Sequence, residues 1–111
     1  LKPPVLVQLL RENRRTGFYI AFATLVDVEF DLTRRLVEAK DIDALATLCR
    51  GAGFDRGLFV TISLLVVDEG GGLSKTEEYG KIYEQVPVAA AQRALRFWKV
   101  RAKGTGAAQA A

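Results

Sequence analysis

The residues best placed to do chemistry lie in one stretch near the C-terminus, Arg93-Ala94-Leu95-Arg96-Phe97-Trp98-Lys99-Val100-Arg101. Arg93, Arg96, Lys99, Arg101 and Lys103 follow one another with no acid between them, and the only tryptophan of the chain sits in their midst. Cations interleaved with aromatic rings can neutralise phosphates and stack on bases, which is the chemistry of nucleic-acid binding. On a helix starting at Val88, however, the stretch divides. Ala91, Ala94, Leu95 and Trp98 recur at three- and four-residue steps and share one side. Arg93, Arg96, Lys99 and Lys103 run along the other, with Phe97 and Arg101 between. A tryptophan that shares its side with leucine and alanine points toward a core. The spacing therefore predicts a docked terminal helix with a solvated basic face, whose cations also favour the negative end of the helix dipole. That face, Arg93, Arg96, Lys99 and Lys103, is the candidate binding set for an acidic partner, nucleic acid included.

Other chemistries fare worse. Zinc, non-haem iron and copper sites draw on histidine or clustered cysteine. This chain has no histidine and one cysteine, Cys49. Glu29, Asp31, Asp41 and Asp43 could in principle hold magnesium or calcium, but calcium-loop spacing is missing, and the four read as helix-start acids. Cys49 follows Leu45 and Leu48 on an apolar helix face and has no histidine to activate it, so it reads as structural. Gly70-Gly71-Gly72 lacks the lysine and hydroxyl of a phosphate-binding loop and follows a helix, where that motif follows a strand. No catalytic residue, metal or cofactor is expected, and the chain is not read as an enzyme.

The elements that must position these groups fit in one domain. The chain has 111 residues, half of them apolar, enough for a core without disulfide or metal staples. The net charge is +3, with the excess at the C-terminal end and an acidic balance from Asp27 to Asp43. The longest apolar run, Leu58 to Val67, is broken by Thr61 and Ser63 and falls far short of the roughly 20 residues that span a bilayer. A lone cysteine suits a reducing compartment, and the cytoplasm is the expected location. The chain begins at Leu1 and holds no methionine, so it is expected to be a portion of a longer protein.

The pattern predicts an all-α fold of six or seven short helices within residues 1–103. After Pro3-Pro4, a helix covers Val5 to Asn13, with a break to Gly17 and a second helix from Phe18 to Val26. Asp31 is expected to cap a third, reaching Lys40, and Asp41 a fourth, stopping at Gly51-Ala52-Gly53. Asp55 opens a fifth that carries Leu58, Phe59, Ile62, Leu65 and Val66. This run is rich in valine and isoleucine, but it is long for a strand and does not alternate, and its nearly all-round apolarity marks a central helix. Asp68 to Ser74 is a loop. Ser74 and Glu77 form a capping box for a sixth helix ending near Gln85. Pro87 begins the last helix, which runs to about Lys103, and residues 104–111 are expected to be a disordered tail.

"ATLVDVEFD" at Ala23 to Asp31 resembles "ATLCRGAGFD" at Ala46 to Asp55, with one residue inserted, which fits HEAT-like stacked helical pairs. The helix order, "LCRGAGF" at Leu48 to Phe54 and the closing "YEQVPVAAAQRALRFWKVR" at Tyr83 to Arg101 resemble the C-terminal part of a bacterial domain of unknown function, number 2336, found mainly in alphaproteobacteria. The resemblance implies a soluble helical bacterial protein and carries no catalytic residues. The function expected is a helical protein-interaction module, with an unidentified protein partner and self-association compatible with the sequence. Nucleic-acid or acidic-partner binding through the basic helix is the alternative.

Overall fold

Side-chain oxygens that satisfy free backbone amides, and left-handed turn residues, divide the chain into helices. A computed structural model describes residues 2–67 and 75–110, with side chains as far as Lys99. Among the described residues there are seven helices and no strand. Proline at the start of α1 (Val5–Arg11) lacks the amide that would otherwise need a partner. The break after α1 is shorter than the sequence suggested. Asn13 takes a left-handed conformation at φ 58, the Arg14 amide bonds back to the Leu9 carbonyl at 2.9 Å, and α2 (Arg15–Val26) begins at once.

The cap of α3 (Phe30–Glu38) is Glu29, whose carboxylate accepts from the Leu32 amide at 2.9 Å. The expected cap, Asp31, lies instead in the first helical turn, where it pairs with Arg34 at 2.6 Å and Arg35 at 3.3 Å. The chain turns at Asp27, φ 59, so the extended residue that can cap comes two positions before Asp31. Asp41 caps α4 (Ile42–Gly51) through the amides of Asp43 and Ala44. Asp55 caps α5 (Arg56–Val66) through the Leu58 amide at 2.8 Å, so the valine- and isoleucine-rich run is helical. Ser74 of the expected capping box and the Gly70–Gly72 loop lie outside the described residues. They precede α6 (Thr76–Glu84). The backbone of α7 (Val88–Ala110) is helical past Lys103, into the alanine-rich segment read as a tail. Alanine is the best helix former and gains over the two glycines there.

Phe18, Phe22, Phe54, Phe59 and Tyr83 supply the bulk of the core. Phe18 stacks on Phe22 at 5.4 Å between centroids and Phe59 on Tyr83 at 4.6 Å, with Phe54 bridging toward Phe22 at 6.1 Å. Two buried hydroxyls are satisfied locally: Thr33 donates to the Glu29 carbonyl and Ser63 to the Phe59 carbonyl. The hub is α4, which touches α2, α3, α5, α6 and α7, whereas the sequence pointed to α5. Successive helices pair along the chain from α1 to α6, α1 also packs on α5, and α7 packs on α4.

The two similar sequence segments share a turn, but not in the register their letters suggest. Asp27 and Gly53 are both left-handed. Val28 and Phe54, each the next residue, are buried and donate their amides five residues back, to Ala23 and Cys49. Glu29 and Asp55 then cap the following helices. Aligning the letters pairs Phe30 with Phe54; the geometry pairs Val28 with Phe54.

Candidate docking site

The last helix is held close to α4 because Gly51 has no side chain. A Cβ there would come within 2.5 Å of Leu95 Cδ1 and 3.1 Å of the Ala91 carbonyl oxygen. Ala91 and Leu95 are buried in this contact, and Trp98 is half-buried against the same core. Arg50 fastens the start of α7 by donating Nε–H to the Val86 carbonyl at 3.0 Å while its guanidinium lies 5.1 Å above the Tyr83 ring. The inward side read from the sequence is therefore the docked side.

The basic face is less of a unit than the sequence implied. Arg93 and Arg96 are exposed. Lys99 is drawn 2.6 Å from the Asp27 carboxylate, at the turn between α2 and α3. The side chain of Lys103 lies outside those described. Four cations at helical spacing thus become two outward arginines and a lysine tying α7 to a distant turn.

That tie closes one side of an open groove of about 780 Å³, lined by Ile20, Ala23, Thr24, Asp27, Val28, Glu29, Phe30 and Lys99. Ile20 is 54% exposed and Phe30 39%, while Asp27 keeps 82% of its side chain in solvent although it holds Lys99. The floor is apolar and the rim carries both signs of charge. Exposed apolar side chains gathered in a concavity with a charged rim are the features of a docking surface. Sequence reasoning passed over Ile20 and Phe30. The signal was available: from Thr16 to Val26 there is no charged residue, so whatever face α2 turns to solvent carries no charge.

Cys49, Glu29, Asp31 and Asp41, considered for catalysis or metal binding, have other places in the fold. Cys49 is wholly buried, and burial pushes its thiol far up, away from thiolate formation. Glu29 and Asp41 are caps. The Asp31 carboxyl is held below its usual range, first by its hydrogen bond from Arg34 and further by the charges of Arg34 and Arg35. Among the described residues no three acids, cysteines or histidines gather as a metal would require, and no helix is long and apolar enough to cross a membrane.

No curated protein and no solved structure matches the chain. A family model does, over residues 1–96, which covers every groove residue except Lys99. The chain belongs to the bacterial family of domain of unknown function 2336, described as an uncharacterised protein conserved in bacteria.

Proposed function

We propose that this chain is a helical protein-interaction module that docks its partner in the groove between α2, the α2–α3 turn and α7. The observation that carries this reading is the exposure of Ile20 and Phe30 on the apolar floor, beside the Asp27–Lys99 pair. Interfaces draw most of their affinity from a few such apolar anchors ringed by polar groups. No catalytic residue or cofactor is assigned, and the cytoplasm is the proposed compartment, supported by the single buried cysteine. Capture from native extract with the wild-type chain and with an Ile20→Glu/Phe30→Glu variant tests the reading. Proteins recovered by the first and lost by the second support it; identical recoveries refute it.

Binding of nucleic acid through α7 is the second reading, supported by the exposure of Arg93 and Arg96. With Lys99 committed to Asp27, only weak non-specific binding is expected, no tighter than about 10⁻⁶ M at physiological salt. A salt titration in which an Arg93→Gln/Arg96→Gln variant abolishes nanomolar binding would reverse the order of the two readings.

A further inference from the structure

The outward row of α2 runs Thr16, Ile20, Thr24 and then Asp27, all exposed. The Thr24 hydroxyl donates to the Ile20 carbonyl at 2.8 Å, so it is satisfied within its own helix. The row is a small, a large and a small uncharged side chain at four-residue steps, and it reads the same in both directions about Ile20. The charges at its ends do not. Asp27, which holds Lys99, and Glu29 stand at the C-terminal end of α2, while Arg14, 3.7 Å from Glu12, stands at the N-terminal end with Arg11 and Arg15, its side chain 66% exposed.

We propose that the occupant of this face is a second copy of the same chain, packed antiparallel on α2 about a two-fold axis at Ile20. This rests on the docking reading above and names its partner. In an antiparallel pair centred on Ile20, residues at equal steps on either side face each other. Ile20 meets Ile20 of the second copy, Thr24 meets its Thr16, and Asp27 arrives beside its Asn13 and Arg14. The same contacts recur across the axis, as an isologous interface requires. A shape symmetric about one residue, with opposite charges at its two ends, is complementary to itself. Phe30, on the groove floor beside Ile20, extends the apolar patch beyond the helix. The twelve residues of α2 make a helix only about 18 Å long, so the contact falls in the small class of interfaces, below about 1,200 Å² in total, and the dimer is weak and reversible.

Sedimentation equilibrium from micromolar to near-millimolar concentration reads this out. The wild-type mass is expected to rise toward twice that of one chain. Ile20→Lys, at an exposed position, is expected to keep its helical circular dichroism and stay monomeric throughout. Arg14→Glu and Asp27→Arg are each expected to weaken the dimer roughly fivefold, through two symmetric exposed pairs, and the double exchange to restore it. A wild-type chain that is monomeric at every concentration overturns the second-copy inference, as does a dimer indifferent to Ile20→Lys. Either result leaves the docking reading to its own test, because a foreign protein captured through the groove by a monomeric chain would keep it standing.

Discussion

Gly51→Ala tests the close approach of α4 and α7. The added Cβ would lie 2.5 Å from Leu95 Cδ1, 2.8 Å from Leu95 Cγ and 3.1 Å from the Ala91 carbonyl oxygen. Leu95 is buried and cannot swing away into water, and the Ala91 oxygen belongs to helix backbone. Two effects oppose each other. Replacing glycine by alanine in a helix interior gains up to about 1 kcal/mol, and less at the last helical residue, where Gly51 sits. Forcing a methyl group into a filled interface costs about 1–3 kcal/mol. The clash wins, with a net loss of about 1–2 kcal/mol, or a fall in melting temperature of about 4–8 °C per kcal/mol. Gly57→Ala is the control, since its Cβ would meet only the Asp55 carboxylate oxygen, at 3.3 Å, on an exposed turn. Urea unfolding followed by circular dichroism gives the stabilities, and Trp98 fluorescence reports on α7 itself. If Gly51→Ala is as stable as wild type, α7 does not lie where this packing places it.

Trp98→Ala is expected to cost about 2 kcal/mol in the same urea assay, below the roughly 3–5 of a fully buried ring, because Trp98 is only half-covered. Glu29→Ala is expected to lose about 1 kcal/mol as a helix cap and Asp31→Ala to lose less, and the reverse order would restore Asp31 as the cap. Burial raises the Tyr83 phenol from 10.0 to about 12, and its hydroxyl donates to the Phe54 carbonyl. The folded state then holds this proton more tightly than the unfolded one, so the associated stability is fully present below pH 10.0 and is lost as the pH rises to about 12. Tyr83→Phe should cost about 1–2 kcal/mol near neutrality and remove this part of the alkaline loss, measured as the difference between the two melting profiles across that window.

How far the sequence could be read depended on the range of the interaction. Asp41 and Asp55 cap as expected because a cap involves only amides two or three residues away. The inward row Ala91, Leu95 and Trp98 follows from helical periodicity alone. Asp31 was misplaced because Asp27, an ordinary residue in a left-handed conformation, ends α2 where no glycine marks the stop. The repeat was recognised in its letters and misregistered in its geometry for the same reason. Lys99 could not be separated from its neighbouring cations, since its partner Asp27 is remote in sequence. The groove needs α2, α3 and α7 together, and its one local trace, the uncharged span of α2, looks like core until Ile20 is found in solvent.

The Lys99–Asp27 pair also has a meaning in time. It joins residues roughly seventy positions apart, whereas the turns at Asn13, Asp27, Lys40 and Gly53 close over a few residues each. Local turns form early, and closing a long loop must wait until enough structure exists to repay its entropy. The helical pairs are therefore expected to assemble before α7 lands on Gly51, and α7 is expected to leave first. Leu95→Ala should then speed unfolding by nearly the whole of its loss in stability and leave the folding rate almost unchanged, a division that stopped-flow fluorescence resolves. On this order of events the residence time of the native state is expected to be set at the α4–α7 contact.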